Sequence, residues 1–136
     1  MAKEFIWQVR VYYEDTDAGG VVFYANYLRF MERARTEWLR SIGFEHERLI
    51  NSHNLLFAVR NLTIDYKKPG RLDDLLTITS QLLSNRGASI IFQQFIKNEK
   101  NELLAQAEVK VACLNATTLK ASPMPKELLS ELNKGN

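Results

Sequence analysis

From residue 5 the chain alternates. Phe5, Trp7, Val9, Val11 and Tyr13 fall on one side, with Gln8 and Arg10 on the other, a period of two that predicts a strand over 5–13. The run Glu14-Asp15-Thr16-Asp17-Ala18-Gly19-Gly20 cannot extend it, because clustered acids and paired glycines favour a tight turn. The period then changes. Tyr27, Met31, Ala34, Trp38 and Ile42 recur every three or four residues and predict a helix over about 24–42. Phe30, Leu28 and Leu39 widen its apolar arc to about half the circumference. A surface helix needs only a stripe, so something concave is expected to wrap this one. Gly43 stands where a left-handed cap would end it, and 44–53 reads as a short helical or irregular segment.

Alternation returns over 55–67, 75–83, 88–97 and 103–114, as in Leu103, Ala105, Ala107, Val109, Val111 and Cys113 against Gln106, Glu108 and Lys110. Asn85-Arg86-Gly87 and Asn98 to Asn101 suit hairpin turns between the last three of these strands. Segment 68–74, with Pro69-Gly70, is long for a tight hairpin, so the strands it joins need not be neighbours. Pro123 and Pro125 end the sheet, and Lys126 to Leu132 suits a short terminal helix. The order of strand, long helix and four strands predicts an α+β antiparallel sheet curled around one helix.

Composition narrows the function classes. Of 136 residues, 46% are hydrophobic and 25% charged, which excludes wholesale disorder. Eighteen basic against sixteen acidic side chains leave a net charge of +2 and no case for nucleic acid as a partner. One cysteine, Cys113, excludes an internal disulfide and fits a reducing compartment. The opening Met-Ala-Lys-Glu lacks a signal peptide's apolar core. The longest apolar runs, 21–25 and 55–59, have five residues, against about 20 for a membrane span. The expectation is one soluble, cytoplasmic domain over 1–136.

Most familiar chemistry is missing. The glycines form neither a dinucleotide fingerprint nor a P-loop, and there is no nucleophile elbow. His46-Glu47 is followed by Ile50 where a zinc helix needs its second histidine, so no metal site is expected. Cys113 reads as a buried hydrophobe. The acidic turn remains. As a calcium loop from Asp15 it would find Gly19 at position five and Asn26 at position twelve, and it lacks the required acceptors. An aspartyl phosphatase would need alternating β and α elements. A third reading uses the helix. Unpaired N–H groups at its start stabilise charge developing on a carbonyl oxygen, while a carboxylate attacks the carbonyl or activates water. On residues alone, bracing of the turn by hydrogen bonds is the favoured reading of Asp15 or Asp17, as for most turn aspartates.

The stretch Tyr13-Glu14-Asp15-Thr16-Asp17-Ala18-Gly19-Gly20-Val21-Val22-Phe23-Tyr24-Ala25-Asn26-Tyr27-Leu28, continuing into Phe30-Met31-Glu32-Arg33-Ala34-Arg35, resembles the signature of hotdog-fold acyl-CoA thioesterases. It is similar to the 4-hydroxybenzoyl-CoA thioesterase-like group, and within it to the bacterial YbgC-type, Tol-Pal-associated branch. Arg71-Leu72-Asp73-Asp74 and Arg86-Gly87 extend the resemblance over nearly the whole chain.

The resemblance implies a hotdog fold, a homo-oligomer (dimer or tetramer) with sites at subunit interfaces, and hydrolysis of acyl-CoA without a cofactor. By position, Asp17 matches the catalytic carboxylate and the Tyr24 backbone N–H matches the group that polarises the thioester carbonyl. The YbgC-type proteins commonly carry Tyr-His where this chain has Phe23-Tyr24, a pair resembling the aryl-CoA members and bearing on acyl preference. Asp15 and Glu14, if close to Asp17, would raise its pKa, so they are expected to turn away or be hydrogen-bonded. Glu32 and Arg35 are spaced to pair along the helix, and Arg35, within the apolar arc, suits an ion pair at a subunit contact. Lys68 and Arg86 are the candidates for coenzyme A phosphates among loop cations that also include Lys67 and Arg71. Acyl carrier protein is the alternative carrier. A dehydratase is disfavoured because neither His46 nor His53 is near the turn, and a non-catalytic adaptor is the rival from another class.

Overall fold

A computed structural model describes residues 4–134, so the reading of residues 1–3 as lacking a leader lies outside them. Strands β1 (Glu4–Arg10), β2 (Leu55–Tyr66), β3 (Leu75–Arg86), β4 (Ser89–Lys97) and β5 (Leu103–Asn115) build one antiparallel sheet in the order β1-β3-β4-β5-β2. Three helices accompany it: α1 (Asn26–Ser41), α2 (His46–His53) and α3 (Lys126–Asn133).

The sheet curls around α1, as the wide apolar arc requires. Tyr27, Phe30, Met31, Ala34, Trp38 and Leu39 are all buried. The Trp38 ring lies parallel to Phe5 with centroids 6.0 Å apart and edge-on to Phe92 at 5.7 Å. Burial of each such side chain stabilises the fold by roughly 1.5–3 kcal/mol. At the C-terminus Gly43 turns left-handed at φ +86°, and the Phe44 N–H reaches back to Leu39 O at 2.8 Å, so a Schellman-type bond stops the helix.

Several boundaries differ from the sequence reading, three of them by two residues or more. The first strand ends at Arg10 rather than Tyr13, because the Tyr12 N–H is drawn to the Asp15 carboxylate at 2.8 Å and 13–15 form a short 3-10 turn. Helix α1 starts at Asn26, two residues after Tyr24. Strand β3 runs on to Arg86, since an irregularity between Leu82 and Ser84 lets its ladder with β4 continue. The long 68–74 connection does separate non-neighbours: β2 pairs with β5 and lies at the sheet's edge.

One polar thread crosses the core. Arg35 Nη1–H donates to Gln94 Oε1 at 2.9 Å, and Gln94 Nε2–H donates to Ser80 Oγ at 2.8 Å and Met31 O at 3.0 Å. Gln94 and Ser80 are fully buried, so this bonding is what makes their burial tolerable. Burial also pushes the Arg35 guanidinium down to about 10, with the charge of Glu32 acting the other way.

Candidate active site

The acidic turn folds into a small hairpin before α1. Thr16 bridges Val22, the Asp17 N–H donates to Val21 O at 2.9 Å, and the Gly20 N–H donates to Asp17 O at 3.0 Å. Gly20 takes φ +77°, a conformation that a side chain would strain. The hairpin is pinned from outside: Val21 bridges Arg71, the Val22 N–H donates to Gly70 O at 2.8 Å, and the Gly70 N–H reaches the buried Tyr27 hydroxyl at 2.9 Å.

The two aspartates divide the roles that the sequence left open. Asp15 is buried and braces the structure. Its carboxylate accepts the Tyr12 N–H at 2.8 Å and Asn26 Nδ2–H at 2.9 Å, while its carbonyl accepts the Phe23 N–H at 2.9 Å. It therefore ties the turn to the first residue of α1. Asp17 is exposed, and among the described residues its carboxylate accepts only the Gly19 N–H, through Oδ1 at 2.8 Å. An Asx turn fixes that oxygen and leaves Oδ2 open to a substrate.

Tyr24 follows the other arm of the hairpin. It lies in the turn closed by the Asn26 N–H on Phe23 O at 2.8 Å, not in the helix itself as the sequence reading had it. Ala25 already has helical angles, φ −70° and ψ −21°, so the turn continues the helical direction. Among the described residues, the N–H groups of Tyr24 and Ala25 have no acceptor, as expected of groups opening a helix.

An aromatic residue that sequence reasoning missed, Tyr66, holds this turn together with Tyr27 of the helix face. The Tyr66 hydroxyl, at the end of β2, donates to Tyr24 O at 3.1 Å. Its ring meets those of Tyr27 and Tyr24 at 5.5 and 6.3 Å. Burial raises the pKa of Tyr66, with Tyr24 adding to it. Tyr27 is also raised by burial; the Gly70 N–H opposes this, while Tyr66, Asp74 and Asp17 add to it. In the sequence, Tyr66 was only one more member of an alternating run.

The basic candidates part company. Lys68 borders a cleft of about 310 Å3, with Arg71, Lys100, Asp74, Glu99 and Glu102 on its walls. It is ion-paired to Glu102 at 2.8 Å, and hydrogen bonds from Lys68 and Asn98 lower the pKa of Glu102. Because Arg71 bridges Val21, this cleft adjoins the hairpin. Arg86 ends β3, whose other end leads from that cleft. At about 3.3 Å per residue, twelve residues put Arg86 about 36 Å away within one chain.

Elsewhere the chemistry is quiet. Cys113 is buried, and burial pushes its thiol up to about 11, which keeps it from acting as a nucleophile. His46 and His53 pack near Phe57 and Phe44. Glu32 makes no ion pair with Arg35 among the described residues, contrary to the expected pairing along the helix; it accepts a 3.4 Å bond from Thr36 instead. Among the described residues no group of three His, Cys, Asp or Glu side chains is arranged to hold a metal. No described helix is long and apolar enough to cross a membrane.

Comparison with known proteins gives a consistent family. The profile of the thioesterase-like superfamily matches residues 11–132. The chain is 47% identical over 130 residues to the acyl-CoA thioester hydrolase YbgC of Escherichia coli O6:H1, covering 96% of each. It is 38% identical over 112 residues to the long-chain acyl-CoA thioesterase FadM of Escherichia coli K12, covering 81% of this chain and 83% of that one. A solved structure of a probable thioesterase from Bartonella henselae aligns with TM-score 0.84 at 35% identity, over 92% of this chain and all of the other. A 1,4-dihydroxy-2-naphthoyl-CoA thioesterase from Synechocystis aligns with TM-score 0.89 over 96% of each chain, and at 23% identity it speaks for the fold alone.

Proposed function

The chain belongs to the thioesterase-like superfamily, and from that premise we propose that it hydrolyses acyl-CoA thioesters to a free acid and coenzyme A, using Asp17 and the Tyr24 amide. The observation that carries the assignment is the hairpin. Among the described residues, one arm presents an exposed carboxylate with a single hydrogen bond, and the other leads directly to two N–H groups without an acceptor.

With the thioester carbonyl oxygen at the Tyr24 N–H, negative charge that develops there meets a donor already in position. Asp17 then acts in one of two ways. As a nucleophile, its free oxygen bonds to the carbonyl carbon and the C–S electrons leave with the coenzyme A thiolate; water afterwards cleaves the anhydride. As a general base, it takes a proton from water, whose oxygen attacks the same carbon. Both routes end in the same acid and thiol. The acyl-CoA activity in the names of the relatives at 47% and 38% identity supports coenzyme A over acyl carrier protein as the carrier.

The working unit is one domain in a homodimer, with pairing of dimers into a tetramer as the larger alternative. Strand β2 supports this. It is a twelve-residue edge whose Val59, Leu62 and Tyr66 are exposed, and such an edge invites a second copy. Cytoplasmic action agrees with the single buried, unpaired cysteine.

Asp17→Asn tests the site. Asn keeps an oxygen for the Gly19 N–H, so the melting temperature should not move. It cannot attack or take a proton, and kcat should fall by about 10²–10⁴ with KM little changed. Parent-level hydrolysis of every active acyl-CoA by this variant would overturn the assignment. A parent protein that binds acyl carrier protein but turns over no thioester would favour the adaptor reading.

A further inference from the structure

We infer that in the dimer Arg35 of each copy is ion-paired with Glu32 of the other across the twofold axis, in the groove between α1 and the middle of β2. The inference rests on the dimer proposed above and deepens it. The groove holds about 270 Å3; Phe57 and Val59 help to line it, and Glu32, Arg35, Thr36 and His46 supply its polar groups. Only 9% of Arg35 is exposed. A guanidinium carries five N–H donors, yet among the described residues Arg35 makes one side-chain hydrogen bond, to a neutral amide, Gln94 Oε1.

No carboxylate lies within ion-pair distance of Arg35 among the described residues. A buried cation without an anion is costly, whereas a paired one is tolerated. Glu32, three residues earlier on the same flank of α1, is exposed and holds only the long bond from Thr36. The chain thus has an unneutralised buried cation and an underused carboxylate facing one groove.

Symmetry brings them together. Val59, in the groove, lies beside the midpoint of β2, Leu55–Tyr66. An antiparallel pairing of the whole edge with itself puts the twofold axis at that midpoint. The same axis runs α1 antiparallel to its copy, and where the helices cross between 32 and 35, position 32 of each faces position 35 of the other. An isologous contact needs a self-complementary pattern, and an acid and a base three residues apart provide one. Each dimer then makes the pair twice.

Charge steering tests it. Sedimentation of the parent comes first: a parent that is monomeric at micromolar concentration removes the dimer reading itself. Given a dimeric parent, Glu32→Lys, at an exposed position that spares the core, should raise the dissociation constant by at least about 10²-fold, since two buried pairs become repulsive. Differently tagged Glu32→Lys and Arg35→Glu chains should each be weak alone. Mixed, they should form heterodimers by native mass spectrometry, because both cross-axis contacts then join opposite charges. Arg35→Glu also disturbs the bond to Gln94, so Glu32→Gln gives an independent arm, with about tenfold weaker dimerisation expected. A dimeric parent whose Glu32→Lys and Glu32→Gln variants associate as tightly as it does would overturn the pair and leave the dimer standing. Arg35→Met raising KM only for acyl-CoA with a terminal carboxylate, without weakening the dimer, would also overturn it by assigning Arg35 to substrate.

Discussion

Asp15→Ala is the most informative change in the hairpin outside the reacting groups. Asp15 is 6% exposed, and its carboxylate satisfies two donors, the Tyr12 N–H at 2.8 Å and Asn26 Nδ2–H at 2.9 Å. Alanine orphans both. A buried donor left unpaired costs roughly 1–3 kcal/mol, but Tyr12 is exposed and water can recover part of its share. The expected loss is therefore about 3 kcal/mol, or roughly 10 °C in melting temperature for a domain of this size. Asp15→Asn should cost less. Its oxygen still accepts the Tyr12 N–H, and Asn26 can turn its amide over to accept from the new NH2, so only charge assistance is lost. Urea unfolding followed by circular dichroism would order the series as parent, Asn, Ala. Activity should follow, because the Asp15 carbonyl also holds the Phe23 N–H, one residue before Tyr24. A displacement near 1 Å at that amide would lower kcat by about 10²-fold, measured well below the melting temperature. Unfolding midpoints within about 0.5 kcal/mol of the parent for Asp15→Ala would refute the bracing role.

Two further outcomes test the surroundings. If Arg86 contacts coenzyme A phosphates, Arg86→Ala raises KM and flattens its salt dependence with kcat nearly unchanged, and Lys68→Ala does so less because Lys68 is shared with Glu102; KM values equal to the parent's at low salt return both to solvated surface. The Cys113 thiol is held up to about 11 in the folded chain and nearer 8.5 when unfolded, so the folded state binds more protons between these values. Stability is then lost as pH rises through that window, and Cys113→Ala should reduce the slope of urea midpoint against pH there; an unchanged slope would contradict it.

Period and spacing exposed the elements because each has a buried face. Met31, Ala34 and Trp38 are fully buried, and α1 could be read from their separation alone. Pairing is different. Alternation says which residues of β2 face inward but not that β5 is its neighbour, since that depends on contacts distant in sequence. The end of β1 was overrun because an apolar Tyr13 continues the pattern, while a hydrogen bond to Asp15 ends the strand. The same bond separates Asp15 from Asp17. As residue types they are equal, and only burial and partners make one a brace and leave the other free. The separation of Lys68 and Arg86 is legible in the sequence: they flank the two ends of one long strand, so within a single chain they lie far apart.

A dimer through β2 reverses that separation. The Tyr66 end of β2 holds Tyr24, whereas its Leu55 end pairs with Asn115 of β5. Nearby, the Ala88 carbonyl of the β3–β4 turn accepts the Cys113 N–H at 2.7 Å. Antiparallel pairing of two copies sets the Leu55 end of one against the Tyr66 end of the other. Moving outward from β2, the partner's β2, β5 and β4 follow at about 4.8 Å per strand. The turn carrying the partner's Arg86 then lies on the order of 15–20 Å from Tyr24 across the sheet, compared with about 36 Å along a single β3. In the proposed dimer, the axis that pairs Glu32 with Arg35 also brings a cationic turn toward a long phosphate-bearing carrier, so weakening that pair should raise KM at protein concentrations where the dimer dissociates.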